Sequence, residues 1–284
     1  MKIAMLISGR AARYEVCLLH TLKKTTYHDI DLFLSINDEN ENCDYYNKMK
    51  KDLKPWLKGC YIKKYKIPED FFNLFDKTKN ASTNQFIDGK WVPYNVLSML
   101  YNDNNAYNMA IKYSNKHSIK YDIIMKFRSD IIELTIPKEL PFNNNIHLHS
   151  VVPICFFKCY ILGKKELGKT WIISDAWVWG SIETMKIYCN AYDFVLKTYV
   201  ERDGNYNVHF ESCITDNILF NKIQYSYHKY EYHLDRNRRI FDLTWNGSIG
   251  NRNDERQRNI PFAHTPISSS DFGINTFIPP VIHE

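Results

Sequence analysis

The chain has 284 residues, of which 44% are hydrophobic and 24% charged, values that exclude a disordered chain and provide for a substantial core. A net charge of +5 from 37 basic and 32 acidic residues is modest and spread along the chain, which argues against a nucleic-acid-binding face. The 7 cysteines are odd in number and form no Cys-x-x-Cys pair, which argues against a zinc site and a disulfide framework. No stretch approaches the length of a membrane span, and the apolar start ends at Ser8-Gly9-Arg10, too early for a secretory signal. The expectation is a cytoplasmic protein with reduced thiols.

In chain order, Ile3 to Ile7 reads as a first buried strand closed by Ser8-Gly9. Val16, Leu18, Leu19 and Leu22 recur at helical spacing, so Tyr14 to Lys24 is predicted helical. Asp31 to Ile36 is a second strand, Tyr45 to Lys58 a helix and Cys60 to Ile67 a third strand with alternating lysines. This β-α-β-α-β order implies a parallel sheet with helices on its faces. After a polar loop, Tyr94 to Tyr113 is a helix that feeds the strand Tyr121 to Phe127, which runs on into Arg128-Ser129-Asp130. Ile146 to Val152 and Trp171 to Trp179 are further strands, and Ile182 to Tyr199 and Glu211 to Ile223 are helices. The tail from Asn246 to Glu284 carries turn residues and little periodicity.

Several residue groups carry candidate chemistry. Strand side chains alternate, so Arg128 and Asp130 are expected on one side, a guanidinium for a diphosphate and a carboxylate for Mg²⁺ or Mn²⁺; the bland reading is an ion pair at a strand end. Ser8, Gly9 and Arg10 close the first strand, and Gly9 permits close backbone approach to a ligand. They form neither a P-loop nor a Gly-x-Gly-x-x-Gly turn. Asp175 opens an aromatic strand suited to a sugar, against the plainer reading of a capping acid beside core tryptophans. Glu211 begins a helix, where a carboxylate gains from the dipole; it is also placed to act as a general base. His147 and His149 share a strand face, and a satisfied ordinary pair is favoured over a metal site. Arg236 to Arg239 reads as a solvated loop or as a basic rim for an anionic ligand. Gly-x-Ser-x-Gly and protein kinase motifs are absent from the sequence.

Four segments, Ile7-Ser-Gly-Arg10, Tyr121 to Asp130, Asp175 to Ser181, and Phe210-Glu211 with its helix, occur in an order that resembles nucleotide-sugar glycosyltransferases of the GT-A fold. The resemblance is to divergent members such as those of large DNA viruses and bacterial surface-polysaccharide clusters, and it covers residues 1 to 235. It implies a single α/β, GT-A-like domain over 1–284 with a mainly parallel sheet, a nucleotide half at 1–133 and an acceptor half at 134–284. It also implies transfer of a hexose from a nucleotide diphosphate sugar, a UDP-sugar in the first instance, to a hydroxyl of a glycan, lipid or protein. By the same resemblance Ser8, Gly9 and Arg10 contact the nucleotide, and Asn95 and Tyr101 line the donor pocket. Glu211 or Asp175 activates the acceptor, and Asp130 with His264 holds Mn²⁺ or Mg²⁺. The family's Asp-x-Asp reads Arg128-Ser129-Asp130 here, so Arg128 stands where a carboxylate is expected. Two alternatives are a sugar-phosphate nucleotidyltransferase and a non-catalytic carbohydrate-binding protein of the same fold.

Overall fold

The structure is a computed structural model. It describes residues 1–9, 14–39, 43–73, 85–87, 90–129, 131–132, 136–148, 151–154, 160–161, 164–165, 170–173, 177–204, 206, 208–228, 233–236, 239–241 and 281–283. Eight strands form one central sheet: β1 (Lys2–Gly9), β2 (Asp29–Ile36), β3 (Leu57–Ile62), β4 (Ile123–Phe127), β5 (Ile146–Leu148), β6 (Trp177–Gly180), β7 (Tyr225–His228) and β8 (Val281–His283). Their order is β8-β7-β5-β6-β4-β1-β2-β3. Only β6 runs antiparallel to its neighbours; every other pair in this sheet is parallel. The expected α/β architecture with a mainly parallel sheet is thus the observed one.

Helices cover both faces. On one side α1 (Leu18–Lys24) and α2 (Asp44–Asp52) pack through Leu18, Leu22, Tyr46 and Met49 onto Ile3, Met5, Ile7, Leu32, Leu34 and Met125. On the other side lie the short α3 (Glu69–Phe72), then α4 (Tyr94–His117), α5 (Ile182–Cys189), α6 (Ala191–Glu201) and α7 (Phe210–Phe220), packed on Ala4, Leu6, Phe33, Ile124 and Val178. With helices on both faces, a central strand must be apolar throughout. All five residues of β4 are buried, and Lys126 is the single charged one among them.

Several sequence expectations shift for local reasons. The helix expected over Tyr45 to Lys58 stops at Asp52, because Pro55 cannot donate to the helix and disfavours helical backbone before it. The third strand accordingly starts at Leu57 and ends at Ile62, before Ile67. The helix expected over Ile182 to Tyr199 breaks at Asn190, which caps α5 and opens α6; its Oδ1 accepts from Asn104 Nδ2 of α4 at 2.9 Å. The strand expected over Trp171 to Trp179 is two strands in different sheets, Thr170–Ile173 against Val151–Ile154 and β6 in the centre. Within the expected tail, Val281–His283 returns as the parallel edge strand β8.

Gly180 shows why the end of β6 carries a glycine. A Cβ there would lie 2.5 Å from Thr184 Oγ1 and 3.3 Å from the carbonyl oxygen of Asn145. Thr184 is held in the first turn of α5, where its N–H donates to Ser181 Oγ at 3.2 Å. Gly180→Ala is therefore expected to cost about 1–3 kcal/mol through overpacking, measured as a lowered denaturation midpoint at unchanged m-value.

Candidate functional site

The chain builds β1, β2 and β3 outward in one direction, then crosses back through α4 to place β4 on the other side of β1. The carboxyl ends of β1 and β4 therefore flank the point where the strand order reverses, which in open α/β sheets is where a ligand-binding crevice opens. Ser8 and Gly9 end β1, and Arg128 follows β4 directly. Three of the expected site residues thus meet at this edge. Gly9 sits at φ +90° with nothing within 4 Å of the place a Cβ would occupy. The left-handed backbone, not crowding, calls for glycine there.

The strand does not continue through Arg128 to Asp130, as expected from its sequence. It ends at Phe127, and the N–H of Ile131 donates to the carbonyl of Arg128 at 3.3 Å, which marks a turn. The strand alternation expected to relate Arg128 to Asp130 therefore does not reach Arg128, and Asp130 lies outside the described residues. Ser129 is buried and Arg128 half-buried. After the turn, Ile131–Ile132 pairs antiparallel with His233–Arg236, which pairs in turn with Arg239–Phe241. The backbone thereby sets the strand His233–Arg236 beside the segment that follows the central strand.

Beneath the crevice, on the α4 side, lies an ion pair that the sequence reading did not single out. Lys126 Nζ is 3.1 Å from Asp103 Oδ2, with side-chain exposures of 3% and 2%. The Ser8 hydroxyl donates to the other oxygen of the same carboxylate. The Lys126 ammonium also lies 4.7 Å from the ring centre of Phe210 and 5.8 Å from that of Tyr188, close enough for cation–π attraction. Signals for both charged residues were present in the sequence. Lys126 interrupts the apolar run Ile-Ile-Met-Lys-Phe, and Asp103 occupies an inward position of the helical stripe Val96, Leu100, Tyr107, Ala110.

The polar row extends along the sheet. Ser8 is paired with Ser35 of β2 and Ser35 with Tyr61 of β3. Ser35 Oγ donates to Asn102 Oδ1 at 2.6 Å and accepts from Asn105 Nδ2 at 3.0 Å. The face of α4 that carries Asn102, Asp103 and Asn105 thus supplies partners for hydroxyls at the carboxyl end of the sheet, as buried polar groups require.

Of the other expected donor residues, Tyr101 of α4 meets Tyr61 of β3, two strands away from Ser8. Its hydroxyl lies 3.4 Å from that of Tyr61 and its ring against Tyr65 and Tyr192. The bond to Tyr61 and partial burial push its hydroxyl up to about 12. Asn95 lies near the start of α4, where its carbonyl accepts from Ser98 Oγ at 3.1 Å. Glu211 occupies the first turn of α7, with His209 Nδ1 3.4 Å from its carboxylate. The neighbouring Phe210 lies against Lys126, which brings the start of α7 to β4. Arg10, Asp130, Asp175 and His264 lie outside the described residues.

His147 is the other surprise. Its neighbour His149 lies outside the described residues, but His147 Nδ1 is 2.9 Å from His228 Nε2 across β5 and β7. The His147 ring stacks on Trp179 at a centroid distance of 5.5 Å, and the His228 ring lies tilted against Trp179 at 5.3 Å. Among the described residues, no group of three or more His, Cys, Asp or Glu converges to hold a metal ion, and no helix is long and apolar enough to cross a membrane.

No protein-family model matches the sequence, and no curated protein sequence matches it either. Among solved structures, a nucleoside-diphosphate-sugar pyrophosphorylase from Vibrio cholerae RC9 is similar at 8% identity and a TM-score of 0.38, over 80% of this chain and 91% of that one. Mouse xyloside xylosyltransferase 1, in its apo form, is similar at 12% identity and a TM-score of 0.42, over 81% of this chain and 85% of that one. Resemblance at this level assigns no chemistry, and the function has to be argued from the site.

Proposed function

We propose that the protein is a nucleotide-sugar glycosyltransferase whose donor binds at the carboxyl edge of β1 and β4. The observation that carries this reading is the meeting of Ser8 and Gly9 with Arg128 at the reversal of strand order, above the Lys126–Asp103 pair. The donor diphosphate lies against Arg128, whose guanidinium suits bidentate recognition of phosphate oxygens. A divalent cation, where used, would be held by Asp130 and His264, both outside the described residues. When bound it would neutralise charge on the diphosphate. Asp103 is not part of such a set, because both its oxygens are engaged by Ser8 and Lys126.

In an inverting transfer the acceptor hydroxyl oxygen forms the new bond to the anomeric carbon. The bond from that carbon to the diphosphate breaks and its electrons leave on the nucleoside diphosphate. The hydroxyl proton passes to Glu211, or to Asp175. Arg128 stabilises the negative charge that develops on the leaving group. The preferred donor is a UDP-sugar and the acceptor a hydroxyl of a glycan, lipid or protein.

The test is a thermal-shift panel of UDP-, GDP-, dTDP- and CMP-sugars, with and without Mn²⁺. A donor at 100 times its dissociation constant stabilises the protein by about 2.7 kcal/mol. Arg128→Ala is expected to weaken donor binding about ten-fold or more, in line with loss of a charge-assisted phosphate contact. A panel without any shift would sink the transferase reading. Donor binding without release of free sugar or transfer would point instead to a carbohydrate-binding protein, and nucleotidyl exchange with pyrophosphate to a nucleotidyltransferase.

A further inference from the structure

The amino-terminal edge of the sheet, opposite the crevice, holds a polar cavity of about 370 Å³ among Lys2 of β1, Asp29 and Asp31 of β2, Lys58 of β3 and Tyr113 near the end of α4. That volume falls within the roughly 300–1,000 Å³ of small-ligand sites. Lys2 and Ser8 lie at opposite ends of β1, about 20 Å apart at the usual strand rise, so the cavity is separate from the crevice. The Asp31 side chain is 2% exposed. Its Oδ2 accepts from the Tyr121 hydroxyl at 2.9 Å and pairs with Lys2 Nζ at 2.9 Å. Its Oδ1 is left with Lys58 Nζ, 4.0 Å away, which is too far for a hydrogen bond. Leu32 pairs with Leu57 and Phe33 with Gly59, so Lys58 is the extra residue of a β-bulge, a device that re-aims side chains. Among the described residues Lys58 has no nearer acidic partner. A buried carboxylate oxygen and an accessible ammonium thus line one cavity without bonding each other.

From this arrangement we propose that the cavity is a binding site for an uncharged sugar ring. The charges of Lys2, Lys58, Asp29 and Asp31 balance, so an anion would meet two carboxylates and a cation two ammonium groups. The open positions are one acceptor, Asp31 Oδ1, and one donor, Lys58 Nζ. A hydroxyl group both donates and accepts. Its oxygen fits between atoms 4.0 Å apart at about 2.7–2.9 Å from each, donating to the carboxylate and accepting from the ammonium. Neighbouring ring hydroxyls meet Lys2 and Asp29, and the half-buried Trp56 and Tyr113 complete the wall with carbon surface for the C–H side of the ring. The proposal goes beyond the transferase reading and stands independently of it. On a transferase, the site holds a glycan acceptor by a sugar remote from its reacting end, which raises the effective concentration of that end at the crevice.

Saturation-transfer NMR titrations with the methyl glycosides of glucose, galactose, mannose, xylose and N-acetylglucosamine test the site. At least one glycoside is expected to bind wild type, and to bind equally well when UDP is present in excess. Lys58→Met is expected to weaken that glycoside about ten-fold or more, the usual loss for a hydrogen bond to a charged group. Lys58→Arg keeps a charged donor and most of the affinity. Thermal melts are expected to show both variants folded, because the Lys58 side chain is 30% exposed and Asp31 keeps Lys2 and Tyr121. Their response to nucleotide sugars is expected to match wild type. If no glycoside binds wild type, or if folded Lys58→Met binds as tightly as wild type, the site has been misassigned. Displacement of the glycoside by UDP would put the sugar at the crevice and also overturn the proposal. Inorganic phosphate that binds wild type but not Lys58→Met, with no glycoside bound, would identify an anion site instead. A nucleotide-sugar panel without any shift, beside glycoside binding that Lys58→Met abolishes, sinks the transferase reading and leaves this site standing.

Discussion

Asp103→Asn on its own is expected to lower stability by about 3–5 kcal/mol, the usual cost of removing one partner from a buried ion pair. At the roughly 2–4 °C per kcal/mol of a domain somewhat smaller than this one, that is a fall on the order of 10 °C in the melting temperature. The substitution keeps the shape of the side chain and still accepts from Ser8, so cavity formation contributes little. What changes is Lys126, whose side chain is 3% exposed. Its remaining partners among the described residues are the ring faces of Phe210 and Tyr188, which do not compensate for a lost carboxylate. Differential scanning calorimetry at neutral pH measures the effect. A melting temperature within a degree or two of wild type at neutral pH would show that Lys126 is not held as a buried cation.

The second large effect concerns Asp216 of α7. Burial pushes its carboxyl from 3.8 up to about 8, against the hydrogen bond from Tyr206 and the attraction of Arg202, which act the other way. Tyr206 donates to one oxygen at 2.7 Å, while the other has no hydrogen-bond partner among the described residues. Between these two pKa values the folded protein keeps a proton that the unfolded chain has released. Stability contributed at this site is full below the unfolded value and is lost as pH rises, by about 1.4 kcal/mol per unit, until the folded value is passed. Asp216→Asn retains an acceptor for Tyr206 and removes the titration. The wild-type advantage over the variant is therefore expected to fall steadily from pH 4 to pH 8 and then level off, as read from urea denaturation at each pH. Two parallel pH profiles would contradict the assignment. The consequence bears on the site, because Tyr206 lies in the segment that leads into the start of α7, where Glu211 stands.

The legible part of the fold was the part carried by period. Ile3 to Ile7, Asp31 to Ile36 and the strand before Arg128 show the apolar runs of buried parallel strands, and α4 shows a long inward stripe, so the parallel half was readable residue by residue. The errors came where neighbours decide. Asn190 breaks a periodic helix because α4 supplies its side-chain amide with a partner. The aromatic stretch from Trp171 divides because its two ends pair with different sheets. The central strand was expected to run on into Arg128, and it ends at Phe127, before a turn in which the Ile131 N–H donates to the Arg128 carbonyl.

For the site, the sequence by itself determined the elements and the chemistry at their ends: a first strand closing in Ser8-Gly9, a central strand followed by Arg128, and a helix opening at Glu211. Local period and end residues suffice for that, because they depend on nearest neighbours along the chain. Only the tertiary structure decided that Ser8 and Arg128 flank one reversal point and that Lys126 pairs with Asp103. Likewise, only it stacked His147 with His228 and Trp179. Those pairings join residues far apart in sequence, and each is selected by the cost of leaving a buried polar group without a partner. That condition is set only once the sheet has closed its helices over both faces.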